Sequence, residues 1–163
     1  FEECNYDSIN DRDKDVNRLY FLLYRAALFN MENPTKAMKN FKLTPMDMLR
    51  SLFMGFYIEV IADEVRRAIR YARMIEGSPE IKKQIKSFLE KMRDYYVGTM
   101  KSFYKKDIEA AFKLSDLKMD FEKDLDKLEN EVQKIEHLNK VVNRLQRLVT
   151  NIHNLGRIVY TLE

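Results

Sequence analysis

Two pairs of acidic residues, each spaced by four, are the residues best placed for chemistry. Asp11 and Asp15 continue an apolar helical line, and Glu59 and Asp63 extend another. The lines comprise Leu19, Leu22, Ala26 and Phe29 in the first segment, and Leu52 and Phe56 in the second. If the two segments form an antiparallel helical hairpin, the two acidic pairs lie side by side at the same height along it. Four carboxylates at one helix interface need raised pKa values, arginine partners or a bound cation. Since carboxylate-rich sites in helical bundles bind metals, the predicted metal patch comprises Asp11, Asp15, Glu59 and Asp63.

Two other interpretations of these acids remain open. Arg18 follows Asp15 by three residues and Arg67 follows Asp63 by four, a spacing typical of ion pairs on one helix. The acids would then belong to a helical interaction module without metal. A di-metal enzyme is the other alternative, but it needs Glu-x-x-His pairs, and the sequence lacks them. We therefore predict that the chain is not an enzyme.

The pattern of aspartates recurs after 109 residues. The matched pairs are Asp7 and Asp116, Asp11 and Asp120, and Asp15 and Asp124. The period contains three predicted helices, so we expect two three-helix units, residues 1–77 and 78–163, with the first unit lacking its first helix. That helix would precede Phe1, and an apolar groove would be exposed in its place. In the second unit Gln146 and Thr150 stand level with Glu59 and Asp63, so no metal is expected there.

Composition predicts an all-α fold. The 163 residues include only four glycines and three prolines, while 45% are hydrophobic and 34% are charged. This combination is typical of long amphipathic helices and unlike turn-rich β folds. We expect five long antiparallel helices: over 7–31, about 45–76, 79 to about 105, and either side of a break at 135–138 within 107–162. Thr44 and Asp107 are predicted N-caps, and residues 33–44 are predicted to form a loop.

Charge and cysteine content narrow the class of protein. The net charge of +3 is too small to indicate nucleic-acid binding. Cys4 is the only cysteine, so no internal disulfide can form and a cytoplasmic location is expected. The longest apolar run, residues 52–58, is much shorter than the ~20 residues of a membrane span.

Residues 9–23, 43–47 and 58–65 resemble the second and third helices of a PhoU repeat, most closely the archaeal-type proteins in which such repeats follow an AbrB-like DNA-binding domain. In that family a Glu/Asp-x-x-x-Asp signature in the third helix binds iron or zinc in multinuclear clusters. Glu59 and Asp63 match this signature, although Val60 replaces the arginine that follows the glutamate in the family.

The resemblance implies a regulator of phosphate uptake and of phosphate-starvation signalling. Such a protein is a non-enzymatic helical adaptor, often a homodimer, that contacts a phosphate transporter ATPase or a sensor kinase. It would bind iron or zinc in the first unit only. DNA would be bound only through a domain upstream of this sequence.

Overall fold

The computed structural model describes residues 6–132 and 135–162. Within these residues the fold is all-helical, as predicted, with no strand. Its helices are α1 (Tyr6–Glu32), α2 (Pro34–Phe41), α3 (Pro45–Arg73), α4 (Pro79–Lys105), α5 (Ile108–Ser115), α6 (Leu117–Glu129) and α7 (Leu138–Val159). The described part of the chain therefore contains seven helices rather than the five expected.

Capping side chains define the starts of two helices. The Thr44 hydroxyl accepts the Asp47 backbone N–H at 3.1 Å, and the Asp47 carboxylate accepts the Thr44 backbone N–H at 3.0 Å, which forms a reciprocal capping box for α3. Asp107 caps α5 by accepting the Ala110 N–H at 2.9 Å. Both predicted caps are confirmed.

Two differences raise the number of helices from five to seven: α2 was not expected, and the segment after residue 107 contains both α5 and α6. Residues 33–44 were predicted to be a loop, but Pro34 opens the two-turn helix α2, whose Ala37 is fully buried. The helix expected after residue 107 is interrupted at Asp116, where the Ser115 hydroxyl donates to the Phe112 carbonyl at 2.7 Å and competes with the backbone ladder. The later break is confirmed, since α6 ends at Glu129 and α7 begins at Leu138. Residues 133–134 of that break lie outside the described residues.

The core lies along α3 and α7, which share the most extensive interhelical contact in the described chain. α1 packs on α3, and both α4 and α6 pack on α7. One apolar cluster contains residues from α3, α4, α6 and α7, and Ala68, Leu145 and Leu155 are among its most deeply buried members. Since this core crosses the predicted boundary at residue 77, the division into two units remains a prediction.

In the predicted repeat, two pairs of helices pack in the same way: α1 on α3, and α6 on α7. α1 corresponds to α6 at an offset of 109 residues, and α3 corresponds to α7 at an offset of 87 residues, as from Glu59 to Gln146. Arg66 Nε of α3 lies 3.0 Å from Asp13 Oδ2 of α1. At the corresponding positions His153 of α7 lies close enough to Glu122 of α6 for that carboxylate to act on its pKa. Asp13 therefore forms an ion pair with Arg66, whereas Glu122 is a nearby charge that raises the pKa of His153.

Candidate functional site

The structure places the first pair of predicted site acids away from the helix interface. The side chains of Asp11 and Asp15 are 70% and 67% exposed. Each carboxylate pairs within its own helix, Asp11 with Lys14 at 2.9 Å and Asp15 with Arg18 at 3.3 Å. The expectation that both acids would meet Glu59 and Asp63 at an interface is therefore corrected.

Asp11 and Asp15 lie away from the interface with α3 because α1 carries two apolar stripes. The stripe that packs toward α3 carries Ile9, Asp13, Val16, Tyr20, Leu23 and Ala27. The predicted stripe lies on another face, where Leu19 is 64%, Leu22 59% and Phe29 58% exposed. Asp11 and Asp15 share the exposed stripe, whereas Asp13 lies on the packed one.

Asp13 joins Asp63 in a partly buried ion-pair cluster between α1 and α3. The Arg66 guanidinium bridges the two acids, with Nη2 2.5 Å from Asp63 Oδ1 and Nε 3.0 Å from Asp13 Oδ2. Arg67 Nη2 lies 2.8 Å from the other Asp63 oxygen. Both oxygens of Asp63 thus face guanidinium groups, and the Asp15–Arg18 and Asp63–Arg67 pairs expected of a metal-free module are confirmed.

Glu59 lies beside this cluster. Burial raises the pKa of the Glu59 carboxyl, the charges of Asp63 and Asp13 raise it further, and Arg67 opposes them. Across residues 6–132 and 135–162, no three His, Cys, Asp or Glu side chains are placed to hold one metal ion. Asp11, Asp15, Glu59 and Asp63 are therefore not assembled into one metal patch. Asp13 could have been found from the sequence, because it lies four residues after Ile9 and three before Val16.

A second ion pair, missed by the sequence analysis, joins α3 to α7. Glu64 is only 4% exposed. Arg144 Nη1 lies 3.4 and 3.3 Å from its two carboxylate oxygens, and Arg147 Nη1 lies 3.7 Å from Oε1. The sequence did signal a buried Glu64, because Glu64 lies three residues after the buried Ile61 and four before the buried Ala68.

Gln146 and Thr150, which the predicted repeat places level with Glu59 and Asp63, form polar contacts. The Gln146 amide donates to the Glu129 carboxylate, and the Thr150 hydroxyl donates to the Gln146 backbone carbonyl at 3.0 Å. Burial lowers the pKa of His153, and the nearby positive charges of Lys118 and Arg157 lower it further. These interactions favour a neutral imidazole that packs beside α6.

Exposed apolar side chains are concentrated at one end of the molecule. Of the nineteen large apolar side chains exposed in the described residues, thirteen fall between residues 19 and 56. They are Leu19, Phe21, Leu22, Tyr24, Leu28, Phe29, Met31, Met38, Phe41, Leu43, Met46, Phe53 and Phe56. α2 follows α1 and contacts it, so nine of these residues, those between 19 and 41, lie on two adjoining helices, and they are here named the α1–α2 face. Exposed apolar concentrations of this kind mark interaction sites.

A separate apolar groove lies between α1, α3, α4 and α7. Its volume is 460 Å³, and its apolar lining includes Val16, Ile58, Val65, Ile69, Leu89 and Tyr96. Arg12 and Arg93 contribute the positive charges of its lining, and Asp13, which Arg66 neutralises, contributes an acid. The groove therefore favours an apolar ligand that carries a negative group.

Comparisons with protein-family models, with curated proteins and with solved structures find no match for this chain. Within the described residues, every helix is too short or too polar to span a membrane. The class of protein that the fold defines is an all-α bundle, with an exposed apolar face and a separate apolar groove as its candidate sites.

Proposed function

We propose that this chain is a helical interaction module that forms a homodimer through its α1–α2 face. The observation that carries this proposal is the concentration of exposed apolar side chains between residues 19 and 56. Fully burying one large apolar side chain stabilises an interface by about 1.5–3 kcal/mol. Burying several of them at one contact is enough to offset the entropic cost of association.

Charge supports a second copy of the chain as the partner. α1 exposes Asp11 and Asp15 near its beginning, while α2 exposes Lys36 and Lys39 beyond the other end of α1. In a two-fold symmetric contact with antiparallel α1 helices, Asp11 and Asp15 of one copy, which pair with Lys14 and Arg18 in their own helix, come near Lys36 and Lys39 of the other. The arrangement is thus self-complementary in charge as well as apolar.

The test is the molar mass in solution, measured by light scattering across a concentration series. We expect the parent chain to dimerise and the double variant Leu22→Glu/Phe29→Glu to be monomeric. A matched control, Leu117→Glu/Met119→Glu, introduces the same charges on α6 and leaves the dimer intact. A monomeric parent, or a control that dissociates equally, would contradict the proposal.

A more specific role follows from the resemblance to PhoU proteins. The proposal is that the dimer acts in the cytoplasm as a regulator of phosphate uptake, by contacting a phosphate transporter ATPase or its sensor kinase. The repeated packing of α1 on α3 and of α6 on α7 supports it, because a PhoU protein is built from such repeats. ATP hydrolysis by a phosphate transporter in vesicles should fall when the parent chain is added. No change, or an equal fall with Leu22→Glu/Phe29→Glu, would contradict this role.

Iron or zinc binding is a separable part of that role. Metal content is measured on protein purified without chelator, comparing the parent with Glu59→Gln/Asp63→Asn. Metal in the parent that the variant loses would support a site at Glu59 and Asp63. Equal, near-zero metal in both would remove the metal while leaving the interaction module untouched.

A further inference from the structure

The chain from α2 to the start of α3 exposes apolar and basic side chains together. Every residue from 38 to 46 is exposed. The large apolar side chains of this stretch are between 38% and 60% exposed, and they are Met38, Phe41, Leu43 and Met46. Residues 33–46 also contain no acid and three lysines, which are Lys36, Lys39 and Lys42. The stretch is therefore both apolar and positively charged.

Other helices bring further positive charge to the same end of the molecule. The pKa of the Asp47 carboxyl, at the start of α3, is lowered chiefly by hydrogen bonds from Thr44. The positive charges of Arg50 and Lys106 lower it further, so Lys106, which follows α4, lies near the start of α3. The Arg50 guanidinium also donates to the Thr161 hydroxyl at 3.3 Å, just beyond the end of α7. Residues 36–46 and Lys106 are here named the basic pole.

The positive charge of the basic pole is not cancelled by the acids beside it. The Asp47 carboxylate accepts the Thr44 backbone N–H at 3.0 Å and lies 3.5 Å from Arg50 Nη1. The three lysines of residues 36–42 are exposed, and none of them forms an ion pair with another of the described residues. Residues 32–50 carry four basic and two acidic side chains, so their net charge is +2. The basic pole therefore favours an anionic partner.

We propose that the basic pole docks on the surface of a lipid bilayer that contains anionic lipids. Leu43 and Met46 enter the headgroup region, while Lys42 and Lys106 lie against the negative headgroups. A nucleic acid would attract the same lysines but would leave the exposed apolar side chains in water, so the bilayer fits both features. The inference does not rest on the proposed dimer, because Lys42, Leu43 and Met46 lie outside the α1–α2 face.

Sedimentation with lipid vesicles tests the charge part of the inference. We expect the intact chain to bind vesicles of phosphatidylserine and phosphatidylcholine, and to bind little to phosphatidylcholine alone. Lys42→Glu/Lys106→Glu should weaken this binding at least about tenfold, because negative charges replace positive ones at the bilayer surface. The matched control Lys83→Glu/Lys86→Glu changes the net charge equally, but about 30 Å from Lys106 along α4. The control should bind within about twofold of the parent, because salt screens charges at that distance.

A tryptophan reporter tests whether apolar side chains enter the bilayer. The sequence contains no tryptophan, so Met46→Trp introduces a single indole at the basic pole. Its fluorescence should shift to shorter wavelength on the anionic vesicles. Met74→Trp is the matched control, because Met74 is also exposed but follows the opposite end of α3, and its emission should not shift. Circular dichroism verifies that all variants are folded.

Several results would overturn the inference. They are an absence of binding to anionic vesicles, equal binding to both kinds of vesicle, equal weakening by the two lysine variants, and an unshifted Met46→Trp emission. Tighter binding to a DNA duplex than to vesicles, lost in Lys42→Glu/Lys106→Glu, would assign the basic pole to nucleic acid and also overturn it. Leu22→Glu/Phe29→Glu should bind the vesicles at least as tightly as the parent. A monomeric parent that binds vesicles would contradict the proposed dimer alone.

Discussion

Replacing Arg144 with methionine removes the guanidinium nearest to Glu64 but keeps most of the aliphatic stem. The Glu64 side chain is 6% exposed and that of Arg144 is 21% exposed, so the pair is largely shielded from water. The shortest distance between their charged groups is 3.3 Å. In Arg144→Met the Glu64 carboxylate stays buried between α3 and α7 without its closest cation. We expect a marked loss of stability.

The magnitude is bounded from two sides. At 3.3 Å and an effective dielectric constant of about 20, the Coulomb attraction between the Glu64 and Arg144 charges is about 5 kcal/mol, an upper limit. Measured contributions of hydrogen bonds to charged groups are about 1.5–3 kcal/mol. Breaking a fully buried pair costs about 3–5 kcal/mol, but Arg144 is partly exposed and Arg147 remains 3.7 Å away. We therefore expect Arg144→Met to lower the free energy of unfolding by about 2–3 kcal/mol.

The assay is urea unfolding followed by circular dichroism, with the parent and variants at equal concentration. Arg147→Met is the matched control, because that side chain is 64% exposed and its pair with Glu64 is worth about 0–0.5 kcal/mol. The double variant Glu64→Leu/Arg144→Leu should recover most of the loss, since an apolar pair leaves no buried charge. Equal small effects of Arg144→Met and Arg147→Met would refute the reasoning. So would a double variant less stable than Arg144→Met.

Three further predictions concern other charged or capping groups. Burial raises the pKa of Glu59 in the folded state, so the folded chain binds this proton more tightly than the unfolded chain does. The free energy of unfolding therefore falls as pH rises from 4.5 through the folded-state pKa of Glu59. Glu59→Gln should flatten this fall in unfolding curves measured across pH. Lys127 and Lys91 lower the pKa of Asp124 in the folded state. The ionised Asp124 carboxylate therefore stabilises the fold above pH 3.8, and this stabilisation is lost as pH falls through the folded-state pKa. Asp124→Asn should destabilise the protein at pH 7 but not at pH 2, whereas Asp15→Asn should have little effect at either pH, as thermal melts can show. Thr44→Ala should cost about 1 kcal/mol in urea unfolding by removing the cap of α3.

The sequence was most informative where one local signal decides the structure. Thr44 and Asp107 cap helices because each cap depends only on residues within the next turn. The break predicted at 135–138 lies before α7, and His137 has a left-handed φ of 67° at the start of that helix. α2 was missed because proline both ends one helix and starts the next, and spacing alone does not separate these roles.

Sequence reasoning could not decide which side of a two-striped helix is buried. The stripe through Leu19 and Leu22 has the same helical spacing as the stripe through Val16 and Tyr20. Only the position of α3 selects the second stripe, and that position depends on contacts far apart in the chain. Because the prediction took the exposed stripe as the buried one, it placed Asp11 and Asp15 at the interface with α3, where Asp13 lies.

The aspartates that recur after 109 residues have different surroundings on α1 and on α6. On α6, the position equivalent to Asp15 does lie at an interface, because α4 brings Lys91 to Asp124. On α1, the same position is exposed and pairs only with Arg18 in its own helix among the described contacts. The recurrence of the aspartates therefore did not decide which of them lie at an interface, because that depends on whether another helix packs beside them.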